Sequence, residues 1–185
     1  NPPSMDGGNI NLTIVLEGTN KIYSNYAGID ARNAVGELII KGTEGASLDI
    51  MTHGTYNILY GAKNLVFDGA KVSFDSIKTT GGWKGAIVAN NISILNGSDL
   101  KVVGNYYGFA QAPIQPAEEL IVDNSKLTVY SKLCRAVNTK KMTVTNNSVV
   151  DITIESGNSA IYATESLVVE NSTLKAVHML SVDTD

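Results

Sequence analysis

The chain has 185 residues, with 14 Lys and Arg against 18 Asp and Glu for a net charge of −4, and it carries 17 glycines, 4 prolines and a single cysteine. That length suits one domain with a continuous core, and the mild charge, with no like-charged run beyond Lys140-Lys141, argues against nucleic acid as a partner. Cys134 alone excludes an internal disulfide scaffold, and no apolar stretch is long enough to cross a bilayer as a helix, so membrane insertion is not expected.

In chain order, residues 1–9 lack any pattern and read as a loose or capping segment. The opening Asn1-Pro2-Pro3-Ser4, with neither Met nor a hydrophobic leader, reads as a mature or trimmed product and is compatible with an extracellular or cell-surface location. A recurring unit then begins: two apolar residues two apart, followed two further on by Gly or Asn. Its copies are Ile14-Val15-Leu16-Glu17-Gly18, Leu38-Ile39-Ile40-Lys41-Gly42, Leu65-Val66-Phe67-Asp68-Gly69 and Ile92-Ser93-Ile94-Leu95-Asn96. They continue as Leu120-Ile121-Val122-Asp123-Asn124, Met142-Thr143-Val144-Thr145-Asn146 and Leu167-Val168-Val169-Glu170-Asn171. Successive copies start 24, 27, 27, 28, 22 and 25 residues apart.

Each corner residue is followed by a second alternating stretch, Val72/Phe74, Leu100/Val102, Leu127/Val129, Val150/Ile152 and Leu174/Ala176, whose period of two points those pairs inward. A third stretch centres on Ile29, Ile58, Ile87, Phe109, Val137 and Ile161, mostly after a small residue: Gly28, Ala86, Gly108, Ala136 or Ala160. Three strands per repeat predict an all-β, single-stranded, right-handed parallel β-helix, a three-sided solenoid of about seven coils forming one domain over 1–185. The Gly and Asn corners at Gly42, Gly69, Asn96, Asn124, Asn146 and Asn171 are expected to stack at positive φ, with the asparagine amides in an internal ladder. A leucine-rich repeat would need leucine-bearing return segments, and a two-sheet sandwich predicts no fixed period. Two loops interrupt the grammar: Asp75 to Lys84, and Gln111 to Glu119, whose two prolines rule out ladder pairing. Residues 181–185 read as a tail. The solenoid end, lacking a polar closing element, is expected to meet a neighbouring domain or another copy.

The Leu-x-Val-x-Asn-Ser-x-Leu-x-Val unit of residues 120–129, repeated with Ala176 in the last place over 167–176, resembles the parallel β-helix proteins of the pectin-lyase-like superfamily. Leu12 to Gly18, with Ala27-Gly28-Ile29 and Gly36-Glu37-Leu38-Ile39-Ile40, is similar to the calcium-assisted carbohydrate-binding β-helix domains of bacterial surface proteins. The superfamily resemblance implies a test for catalysis. Polygalacturonase-like members use clustered aspartates with Gly-His-Gly and Arg-Ile-Lys motifs, and pectate-lyase-like members use an arginine base beside calcium-binding aspartates. None of these motifs is present. Arg32 and Arg135 are the only arginines, and His53 and His178 are isolated.

The expected function is therefore a non-catalytic polysaccharide-binding or adhesin module. Tyr26, Tyr56, Trp83, Tyr106 and Tyr107 are the candidate sugar-stacking residues, because aromatic rings gathered near the third-strand connections offer apolar faces to pyranose C–H groups. Tyr23 and Tyr130 fall in the same connections. No cofactor is required. Ca²⁺ is the one ion the sequence suggests, through Glu17, Asp68, Asp123 and Glu170 just before their corners, although acids in such places are ordinarily solvated. Cys134 reads as a buried small apolar residue, and the two histidines as surface residues. A structural spacer of a larger surface protein, packing its small residues against a neighbour, is the alternative. A degenerate polysaccharide lyase or glycoside hydrolase comes after it.

Overall fold

The structure, a computed structural model, describes residues 10–31, 36–53, 57–61, 63–79, 87–106, 112–132, 134–156 and 159–179. Among them every regular element is a strand. In chain order these are β1 (Asn11–Leu16), β2 (Thr19–Ser24), β3 (Ile29–Asp30), β4 (Glu37–Gly42), β5 (Ser47–Thr52), β6 (Leu59–Tyr60), β7 (Asn64–Asp68) and β8 (Lys71–Thr79). They continue with β9 (Ile87–Leu95), β10 (Asp99–Tyr106), β11 (Ile114–Asp123), β12 (Lys126–Ser131), β13 (Val137–Thr145), β14 (Val149–Ile154), β15 (Ile161–Val169) and β16 (Thr173–His178).

One sheet runs β1-β4-β7-β9-β11-β13-β15, with β3 and β6 pairing at its side, and the other runs β2-β5-β8-β10-β12-β14-β16. All pairs are parallel. A chain that alternates between two sheets while each strand pairs with its counterpart one circuit away is a parallel β-solenoid. It makes about five turns, fewer than the motif copies suggested. A copy marks a layer at one corner, whereas a turn is a closed circuit.

The register bears out the second-strand pairs: Val72, Leu100, Leu127, Val150 and Leu174 stack in one column. The first-strand copies also stack, except the earliest. Leu12, not Ile14, lies over Leu38, so the first copy was read two residues late. A slip of two preserves which side chains face inward, and hydrophobic pattern therefore cannot detect it. The slip explains Gly42, which does not take the positive φ expected of it. Gly42 stacks on Leu16 instead of Gly18, and a Cβ there would strike the Gly69 carbonyl oxygen and Ala70 Cα. Close backbone approach, not a left-handed turn, requires that glycine.

Three corrections concern the third side and the segment that leads to it. Leu59 rather than Ile58 pairs with Ile29 and Ile87. In the fourth coil the pairing residue is Ile114 and not Phe109, which lies outside the described residues, so the proline segment is a strand after all. The β11–β13 register jumps from Ile114 to Glu119, and Pro116 sits inside that bulge, where its missing N–H interrupts no ladder bond. β8 likewise runs to Thr79, which places Asp75 in a strand instead of a loop.

The core is the sum of the inward rows. Leu38, Ile40, Leu65, Phe67, Ile92, Ile94, Leu120 and Val122 of one sheet meet Leu48, Ile50, Val72, Phe74, Leu100, Val102, Leu127 and Val129 of the other, all buried. Phe67 and Phe74 cross edge-to-face, with ring centroids 6.0 Å apart and planes at 79°. The small residues before the third strand turn into this core instead of forming an outer docking face. Ala136 is fully buried, and a Cβ on Gly28 would meet Ile50, while Ala86 and Gly108 lie outside the described residues.

From Gly69 onward the corners are of two kinds that alternate up the stack. Gly69-Ala70, Asn124-Ser125 and Asn171-Ser172 turn on one left-handed residue, with φ of 58°, 44° and 47°. Asn96-Gly97-Ser98 and Asn146-Asn147-Ser148 use two, at 57° and 80° and at 56° and 63°. The additional residue in each longer corner donates its N–H to the corner carbonyl of the next layer, Gly97 to Asn124 at 2.7 Å and Asn147 to Asn171 at 2.8 Å. The internal asparagine ladder is not present. These asparagines are exposed, and the amides of Asn96 and Asn146 donate to the carboxylates of Asp68 and Asp123 in the preceding layer, both at 2.7 Å. Serine supplies the inner ladder: the backbone N–H groups of Ala70, Ser98, Ser125 and Ser148 donate to the hydroxyls of Ser98, Ser125, Ser148 and Ser172, at 3.0 to 3.2 Å.

Candidate functional site: the outward face of the seven-stranded sheet

Where Val72, Leu100 and Leu127 face the core, the residues between them must face solvent. Parallel register then stacks these outward residues in columns at ~4.8 Å intervals. One column reads Thr19, Ser47, Lys71, Asp99, Lys126, Val149 and Thr173, and the next reads Lys21, Asp49, Ser73, Lys101, Thr128, Asp151 and Lys175. Across β5, β8, β10 and β12 these two columns line an open groove of about 510 Å³, with walls of Ser47, Lys71, Asp99 and Lys126 on one side and Asp49, Ser73, Lys101 and Thr128 on the other. The Ser73 hydroxyl donates to Asp49 at 2.9 Å. The three lysines are exposed, and no ion pair is formed by any of them among those the structure gives. The groove thus offers ammonium donors and carboxylate and hydroxyl acceptors, with Val72 among its lining residues.

A third outward column borders it: Tyr23, Met51, Asp75, Val103, Tyr130, Thr153 and Val177. One oxygen of Asp75 is buried without a hydrogen-bond partner, and burial pushes its carboxyl above the ordinary carboxylate range, opposed by the charge of Lys101. The residues directly above and below Asp75 in its column are Met51 and Val103. Tyr130 donates its hydroxyl to Glu155.

The sequence placed sugar contacts on Tyr26, Tyr56, Trp83, Tyr106 and Tyr107. Tyr26 follows β2 and is 66% exposed, beside Tyr23 at 67%. Tyr106 ends β10, paired with Thr79. Tyr56, Trp83 and Tyr107 lie outside the described residues. The structure therefore brings two tyrosines, Tyr23 and Tyr26, to the outer flank of the first layers, and the groove itself is built from non-aromatic residues. Their signal was available: once the inward pairs of the second strand were assigned, the intervening Ser73, Lys101 and Thr128 were committed to one outward column.

Two of the four carboxylates considered for Ca²⁺, Asp68 and Asp123, are engaged with nitrogen donors. Asp68 accepts from Asn96 and lies 3.4 Å from the Lys41 ammonium, and the Asn96 bond holds its carboxyl below the usual range. Asp123 accepts from Asn146 at 2.7 Å. Among the described residues no three His, Cys, Asp or Glu side chains converge. Cys134 is buried, its hydroxyl neighbour Ser131 at 3.2 Å, and burial raises its thiol above the ordinary range. A smaller cleft of about 250 Å³ opens at the β11 bulge between Gln115, Asn138, Thr139 and Lys140, but Lys140 is already held by both oxygens of Glu118 at 2.7 and 2.8 Å. Compared with family models, curated proteins and solved structures, the chain matches none.

Proposed function

We propose that the chain is a non-catalytic, extracellular glycan-binding module, in which an extended polysaccharide lies along the solenoid axis over the outward face of β5, β8, β10 and β12. The observation that carries this reading is the groove: it is open at the surface, crosses four layers, and is lined by hydroxyl, carboxylate and ammonium groups repeating with the layers. Sugar hydroxyls are both donors and acceptors, and such a wall satisfies both. A pyranose in an extended chain advances by a length close to the layer spacing of ~4.8 Å, so one sugar falls on each layer. Tyr23 and Tyr26, exposed at one end of the same side, add ring faces of the kind that pack on sugar C–H groups. Tyr56, Trp83, Tyr106 and Tyr107 belong to this proposal as further stacking residues. Each contact is weak, and affinity grows with the number of layers engaged.

The test is a glycan array probed with the purified chain, with and without calcium, and repeated with Thr128→Val combined with Ser73→Ala. Retention of at least one linear glycan, weakened by the double variant, is the expected result. Absence of binding to every glycan would overturn the reading.

A second reading, an interaction or spacer module, is favoured by the ends of the stack. Leu12 of the first layer is 44% exposed, and Leu167 and Val169 of the last are 45% and 39%, although all three occupy inward columns. Continuing the register between two copies would set Lys175 on Lys21, and like charges in adjacent strands repel. The end-on partner in this reading is thus a different chain that places an acid over Lys175, as Asp151 does one layer inside. Light scattering of the purified chain across a concentration series is expected to show a monomer, and concentration-dependent growth would count against a partner of different sequence.

A further inference from the structure

The order of charges along the groove specifies which class of glycan fits it, an inference that rests on the glycan-binding reading above. In the first column Lys71, Asp99 and Lys126 occupy successive layers, so positive, negative and positive charges alternate in steps of ~4.8 Å. In the second column Lys101 stands level with Asp99 and faces the gap between the other two lysines. Asp49 already accepts from Ser73 at 2.9 Å. Asp99 makes no ion pair within the groove among those the structure gives, which leaves its carboxylate to accept from a ligand.

From this alternation we infer that the groove takes a linear polysaccharide whose anionic groups recur once per disaccharide, with a neutral sugar rich in hydroxyl or amide N–H donors between them. Two layers separate Lys71 from Lys126, a repeat of about 9.6 Å. An acidic sugar over each lysine then places its neutral neighbour over Asp99, where its hydroxyl or N–H groups donate to the carboxylate. A polymer with an acid on every sugar sets one carboxylate against Asp99, which repels it at short range. A neutral polymer brings no carboxylate to any of the three ammonium groups. The spacing therefore selects against both.

The experiment compares three probes of equal chain length by calorimetry or biolayer interferometry: hyaluronan, with one carboxylate per disaccharide; polygalacturonate, with one on every sugar; and dextran, which is neutral. The expected order is hyaluronan above polygalacturonate and dextran. Lys71→Gln and Lys126→Gln should each weaken hyaluronan binding roughly fivefold, the scale of an exposed ion pair, while Lys63→Gln, an equal charge change on the other sheet's flank, leaves it unchanged. Asp99→Asn should narrow the gap between hyaluronan and polygalacturonate by improving the latter. Dextran binding as tightly as hyaluronan, or polygalacturonate binding more tightly, overturns the charge-spacing inference and leaves glycan binding standing. Failure of all three probes together with an empty glycan array overturns the glycan reading and this inference with it.

Discussion

The middle of the solenoid and its two ends are written in the same residues and differ in what those residues achieve. Leu120 and Val122 in a central layer are wholly buried, whereas Leu167 and Val169, in the same columns two layers on, are 45% and 39% exposed. The apolar row of one layer is covered by the rows above and below it as well as by the facing strand of its own coil, as Phe67 is by Phe74. Stability in such a stack is a sum over neighbouring layers, and the outermost layers lack half of theirs. An identical substitution should therefore cost very different amounts according to its layer.

The largest effect should come from removing a central aromatic. Phe67→Ala takes away a fully buried ring and its edge-to-face partner contact with Phe74, and a cost of about 3–5 kcal/mol is expected. Leu167→Ala removes a side chain nearly as large from the last layer, where the expected loss is about 1 kcal/mol, in proportion to the area still covered. Urea denaturation of both variants measures the contrast. Equal losses would mean that the end layer is covered in solution.

Much of the middle was legible in the sequence because it is governed by periodicity. The inward pairs from Val72/Phe74 to Leu174/Ala176 follow from a period of two, and register confirms each of them. Quantities that periodicity does not encode were read less well. The two-residue slip that puts Leu12 over Leu38 leaves the inward set intact. Pairing of Ile114 between two prolines depends on a bulge that no local pattern announces. At the corners, the Asn column was seen and its direction was not: a left-handed residue turns its side chain outward and the following one inward, so Ser98, Ser125 and Ser148 carry the buried bonds. The groove was missed for a related reason, since charged residues scattered along the chain become a pattern only after the layers are stacked.

The inner and outer sides of one corner sharpen the same comparison at a smaller scale. Ser125→Ala removes one of the two acceptors of the Ser98 N–H, at 3.2 Å, and leaves the Leu95 carbonyl, also at 3.2 Å, so a cost of about 1 kcal/mol is expected. Asn124→Gly, on the exposed side, keeps the left-handed φ of 44° accessible and should change stability by no more than a few tenths of a kcal/mol. Thermal melts of the pair decide it. A costly Asn124→Gly beside a neutral Ser125→Ala would return the ladder to the asparagines.

The smallest effect lies between layers on the outside. Tyr130 donates its hydroxyl to Glu155, a bond that exists only while the phenol keeps its proton; this bond, with burial and the carboxylate charge adding to it, raises the phenol from 10.0 to about 12. Because the folded-state value lies above the unfolded one, the contribution is complete below pH 10 and is lost as pH rises through about 12. The matching position in the last layer is Val177, two layers on, which has no such bond to lose. Tyrosinate absorbance of the native chain minus that of Tyr130→Phe isolates this one phenol among eight tyrosines and should rise near pH 12. Replacing Glu155 by Gln removes both the acceptor charge and its repulsion of tyrosinate, so the same difference titration should fall back toward 10; a curve unmoved by that change would show that the Tyr130 phenol owes its raised value to burial and not to its neighbour across the layers.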